Sequence, residues 1–145
     1  MRTNILINVS KVIIPFIQVF AFYVMLFGHI SPGGGFSGGS ILGASFILYR
    51  YVYGVEAANR RFSYRILKWI ASIALMCYGA IKGSVFILEF YHLNPFEILK
   101  GTPGSLLSGG FIMPLNVLVG VVVAITFYLM VVLFEEGELD ERTNR

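Results

Sequence analysis

From Phe111 to Phe134 the chain runs 24 residues without a single charged side chain. About 20 apolar residues suffice to carry a helix across the hydrocarbon of a bilayer. Backbone N–H and C=O groups in that medium must be satisfied within the segment, which favours a helix. Three further apolar runs precede this one. Val12 to Phe27 holds one polar residue, Gln18; Phe36 to Val55 holds one charge, Arg50, near its end; Ile66 to Leu88 carries Lys68 at its entrance and Lys82 inside. Only 13% of the residues are charged, against about 25% in soluble domains, and the mean hydropathy is +0.77. The expectation is an all-α integral membrane protein. It is one domain over 1–145, with four transmembrane helices at about 9–28, 36–55, 66–89 and 111–134 and an acidic tail over 135–145.

Charge sets an orientation. Of the 11 Lys and Arg residues, nine fall at the two ends of the chain or around the link between the second and third runs, where Arg50, Arg60, Arg61, Arg65 and Lys68 cluster. Lys82 lies inside a run, and the other two connections share only Lys100. Basic residues accumulate on the cytoplasmic side of membrane proteins, so both termini and the middle link are expected in the cytoplasm of a multi-pass cell-membrane protein. This accounts for the net charge of +3 without nucleic acid. The first run lacks a small-x-small cleavage site before the loop that follows it, and is expected to stay as a helix rather than leave as a signal peptide.

Between the first two runs lies Gly28-His29-Ile30-Ser31-Pro32-Gly33-Gly34-Gly35-Phe36-Ser37-Gly38-Gly39, a turn suited to close backbone packing at the bilayer edge. Its pattern [ST]-P-G-x-x-x-S-G-G, from Ser31 to Gly39, recurs from Thr102 to Gly110. That offset of 71 residues fits two helix hairpins of the same orientation, a parallel repeat of the kind found in transporters; chance recurrence of loop-forming Pro and Gly is the other account. Small residues also recur four apart at Gly35, Gly39 and Gly43, at Gly79 and Gly83, and at Gly120 and Ala124. Such strips let another backbone approach closely, and they are expected to contact neighbouring subunits.

Residues able to carry chemistry are few. Gly33-x-Gly35-x-x-Gly38 matches a dinucleotide fingerprint formally, but that motif needs a short strand before it, and here a spanning helix precedes it. No metal ligand set, nucleophile–base pair or cofactor motif is visible, so the chain is not expected to be an enzyme. Cys77, alone in an apolar run, reads as a packing residue. Lys82 stands sixteen residues beyond Ile66. A lone ammonium in a span costs about 2.5–3.5 kcal/mol on insertion scales, so it faces protein, water or a carboxylate. It belongs either to an ion or proton path, with Glu89 two turns further along the same face, or to a snorkelling side chain reaching the interface. His29, whose ring titrates near neutrality, is either a proton shuttle or a cap for the carbonyls at the end of the first helix. Asn116, a polar amide in a span, is expected to bond across to another helix.

The twelve-residue glycine loop closely resembles the signature of the MnhB/MrpB family, the small B subunits of multisubunit Mrp-type sodium/proton antiporters. Gly109-Gly110-Phe111 and Pro114-Leu115-Asn116-Val117-Leu118-Val119-Gly120 are similar to the family as well, so that the likeness covers residues 9–137. Related subunits occur in the antiporter modules of archaeal membrane-bound hydrogenases and sulfane-sulfur reductases. The resemblance implies a partner of other membrane subunits in a complex that moves Na+ and H+, with no metal centre or quinone of its own. It further implies that the subunit helps assemble or line the ion path; a purely structural scaffold, holding antiporter subunits in register without moving ions, is the alternative. His29, Pro32 and the glycines match the family motif directly, whereas Lys82 rests on physical grounds alone.

Overall fold

The computed structural model describes residues 4–28, 33–90 and 112–143. Five helices make up these residues: α1 (Asn4–Leu26), α2 (Gly35–Tyr53), α3 (Val55–Arg61), α4 (Tyr64–Phe90) and α5 (Ile112–Thr143). The all-helical expectation holds. Three of the helices are long and apolar enough to cross a membrane, over Ile5–Leu26, Tyr64–Ile87 and Met113–Gly137.

The second of the four expected spans, α2, is not among them. It has 19 residues, about 28 Å of helix at 1.5 Å per residue, so length is not the obstacle. Its apolarity is diluted by Gly35, Gly38, Gly39, Gly43, Ser37, Ser40, Ser45 and Arg50. The packing explains why such a helix is tolerated. α2 lies between α1 and α5 and makes its largest contacts with those two, while α4 joins the bundle through α5. Gly35, Gly38, Gly39, Leu42, Gly43, Ser45, Arg50 and Val52 of α2 are buried, and the Ser45 hydroxyl donates to the Leu42 carbonyl at 2.7 Å.

Among the described residues two clusters form the core. Ala21 and Met25 of α1, Leu42 of α2 and Ala124 of α5 make one. Leu67 of α4 with Ile125, Tyr128 and Val132 of α5 make the other. Beside the second, Phe62 inserts its ring among Phe46, Tyr49 and Tyr128, with centroids 4.8, 5.6 and 5.6 Å away. Aromatic pairs in that range attract beyond the area they bury, so this cluster anchors α3 and the start of α4 to α2 and α5. Gly54 makes the break between α2 and α3 possible: its φ of 96° lies where side chains are strained.

The acidic segment over 135–145, expected as a tail either solvated or docked on a basic partner, continues α5 through Thr143. Its first carboxylate, Glu135, is drawn into the bundle rather than left to solvent. Arg50, 3% exposed, donates from Nε to Glu135 Oε2 at 2.7 Å and from Nη1 to Asn59 Oδ1 at 3.0 Å. The buried Tyr128 hydroxyl beside the pair makes no hydrogen bond of ordinary geometry. One cation thereby ties α2, α3 and α5 together. Removing one member of a buried pair leaves an uncompensated charge. Glu135→Leu should therefore lower stability by about 3 kcal/mol, with Arg50→Met/Glu135→Leu recovering most of the loss in thermal unfolding in detergent. Equal losses in the single and double variants would show that the two residues are not coupled.

Candidate functional site

The structure sorts the expected site residues into a closed seam and an open face. The seam is built from the glycines of α2. A Cβ added at Gly35 would collide with the carbonyl oxygen of Asn116 and lie 2.9 Å from Val119 Cβ; one at Gly39 would lie 2.5 Å from Gly120 O and 2.9 Å from Gly120 Cα; one at Gly43 would lie 3.0 Å from Ala124 O. The three contacts keep one register, 35 to 116, 39 to 120 and 43 to 124, so α2 and α5 run parallel with backbone against backbone. Two strips found separately in the sequence are thus each other's partner. The expectation that they contact neighbouring subunits is corrected for Gly35, Gly39, Gly43, Gly120 and Ala124, which are spent within the chain.

Gly38 serves α1 instead. A Cβ there would lie 2.5 Å from Met25 Cγ and 2.9 Å from Ala21 O, while Gly120 on the far side abuts the Met25 sulfur. Met25, fully buried, occupies a socket between two glycines, where its flexible thioether fills an irregular gap. Around the loop, Gly28 packs against Gly34 and Val24, and Gly33 against the Val24 side chain. Gly34 precedes α2 with φ of 134°, a conformation that only glycine adopts without cost. Asn116 Oδ1 faces Gly34, 3.9 Å from where a Cβ would stand. Phe36 points away from the seam, 65% exposed, its ring meeting Phe127 edge-on at 6.4 Å. His29, Ser31 and Pro32 lie outside the described residues.

The open face is the far half of α4. Among the described residues nothing stands within 4 Å of a Cβ added at Gly79 or Gly83. Lys82, between them in the helix, is exposed and has no salt-bridge partner among the described residues. Cys77 is a free, exposed thiol on the same helix. Glu89 belongs to the same helix, but its side chain is outside what is described. Among the described residues no group of three His, Cys, Asp or Glu could hold a metal ion. Sequence reasoning missed the Arg50–Glu135 pair. Its signal was available, since a guanidinium at the end of one apolar run and a carboxylate just past another stand at the same end of two parallel helices.

Comparison with known proteins decides the family. The domain related to the MnhB subunit of Na+/H+ antiporters matches residues 5–129, which includes the whole seam and the Lys82 face. The chain belongs to the MnhB family. It is 37% identical over 95 residues to a protein of Staphylococcus aureus (strain Newman) that bears the name of an antiporter subunit, mnhB2; the match covers 63% of this chain and 62% of that one. It is 31% identical over 102 residues to an uncharacterized protein of Methanocaldococcus jannaschii, covering 66% of this chain and 38% of that one. The aligned part thus spans less than two thirds of either relative. In this MnhB-family chain both the parallel glycine seam and Lys82 fall within the family-matched residues 5–129.

Proposed function

We propose that the chain is a non-catalytic membrane subunit of a multisubunit Na+/H+ antiporter module. In this reading α1, α2 and α5 form a rigid wedge, and the far half of α4 borders a cation path shared with a neighbouring subunit. The observation that carries it is Lys82, an exposed cation between two open glycines on a helix apolar enough to cross the bilayer. Lipid is a costly environment for that ammonium. A carboxylate on a neighbouring helix that approaches over Gly79 and Gly83 would neutralise it. An ammonium there also keeps the carboxylate ionised, because a nearby positive charge disfavours protonation.

The same reading makes α2 the fourth span. Protein on two sides replaces the lipid that its serines and Arg50 would otherwise meet, and the parallel course of α2 and α5 supports two hairpins of one orientation. Membership of the family supports the assignment to an antiporter module, and the basic residues around α3 support cytoplasmic termini. Whether the parent assembly is an antiporter or a hydrogenase or sulfur reductase that carries such a module is decided by its other subunits. A tagged chain extracted in mild detergent should bring antiporter-module subunits with it. Recovery of the chain alone, from membranes where it is expressed at native level, would overturn the proposal.

A further inference from the structure

At the opposite end of α4 a second feature stands apart from the seam and from Lys82. Arg65, Lys68, Trp69 and Ser72 recur at three- and four-residue spacing and line one open groove of about 430 Å³. The Lys68 ammonium rests over the Tyr64 ring, 4.9 Å from its centroid. Neither Arg65 nor Lys68 has a salt-bridge partner among the described residues, where the only ion pair is Arg50–Glu135. Below the cations, on the same stripe of the helix, Trp69, Ile73 and Met76 are 67%, 55% and 77% exposed. Two unpaired cations and a hydroxyl therefore sit directly above an uncovered apolar track, on a helix able to cross the bilayer.

We propose that this face binds an anionic phospholipid. Arg65 and Lys68 hold the phosphate, as guanidinium and ammonium groups do by charge-assisted hydrogen bonds. Trp69 sits at the headgroup level, where amphipathic rings prefer to lie, and the acyl chains run along Ile73 and Met76. A protein partner would need to bring carboxylates to the membrane surface, whereas the lipid supplies anion and hydrocarbon in the order in which the helix presents their complements. Arg60 and Arg61 close by add to the positive field. Glu136 borders the cavity next to Tyr64. The inference requires α4 to span a bilayer and nothing of the antiporter assignment.

Trp69 is the chain's single tryptophan, so its fluorescence reports on this groove alone. The full chain is reconstituted in phosphatidylcholine vesicles in which either phosphatidylglycerol or phosphatidylcholine carries brominated acyl chains. A cation near the surface strengthens attraction to anionic lipid about five-fold. The brominated phosphatidylglycerol should therefore reach half-quenching at a roughly 25-fold lower mole fraction than the brominated phosphatidylcholine. Arg65→Gln/Lys68→Gln should make the two lipids quench alike, with helix content unchanged by circular dichroism. Lys11→Gln/Arg142→Gln, of the same net charge, should keep the preference. Equal quenching by both lipids in the unmodified chain would overturn the proposal. So would relief of quenching by excess inorganic phosphate, which would assign the cations to free anions.

Discussion

Gly39→Leu should abolish accumulation of the folded chain in the membrane, while Gly83→Leu, the same change on another helix, should leave it intact. The two glycines look alike in the sequence, each one member of a strip spaced by four. At Gly39 the first added carbon already lies 2.5 Å from the Gly120 carbonyl oxygen and 2.9 Å from both its Cα and Val123 Cβ. Backbone cannot turn aside as a side chain can, so α2 and α5 must separate along their length. Without a strong hydrophobic drive between helices in lipid, close packing of this kind holds them together. Separation also opens the socket around Met25. Overpacking usually costs about 1–3 kcal/mol, and two backbones forced apart should exceed about 3 kcal/mol, a large share of the total stability of a domain. At Gly83 a side chain meets open space, and the chain's own stability should change by less than about 0.5 kcal/mol. Yield of folded protein and thermal unfolding in detergent measure both. Equal loss in the two variants would show that the seam is not what holds the subunit together.

Lys82→Met should reduce sodium-dependent proton movement in membrane vesicles at least about tenfold, equivalent to about 1.4 kcal/mol in a barrier, with the complex still assembled. Insertion should not suffer, because loss of the ammonium removes a cost of about 2.5–3.5 kcal/mol. A carboxylate left behind on the neighbour can take up a proton and remain neutral, which keeps the contact but removes its exchangeable site. Lys82→Arg, which preserves the charge, should retain most of the transport. Unchanged transport in Lys82→Met would favour the scaffold reading, in which the subunit holds others in register and carries no ion.

The long apolar runs made α1, α4 and α5 legible, because lipid leaves the backbone one common solution and the sequence shows it as simple apolarity. The spacing of Gly35, Gly39, Gly43, Gly120 and Ala124 revealed which faces approach another backbone. It could not reveal whose backbone, since a strip of small residues carries no address. α2 was legible as a helix yet falls short in apolarity as a span for the same reason: glycine and serine dilute hydropathy where protein replaces lipid. The partner of Glu135 was harder to read, because charge runs past the end of a span are ordinarily solvated, and only the parallel register of α2 and α5 brings it to Arg50. Lys82 was recognised from its cost in lipid alone, and its exposure between two bare glycines adds the direction from which a partner would come.

The proposed contact between Lys82 and a neighbouring subunit is open to one direct measurement. A membrane-permeant carbodiimide joins an amine to a carboxylate only when the two already touch. Applied to the native complex, it should yield an amide between Lys82 and an Asp or Glu of another subunit, identified by mass spectrometry of the joined peptides. Recovery of Lys82 unjoined, and as reactive toward an amine label dissolved in the lipid as it is in the isolated chain, would contradict the account.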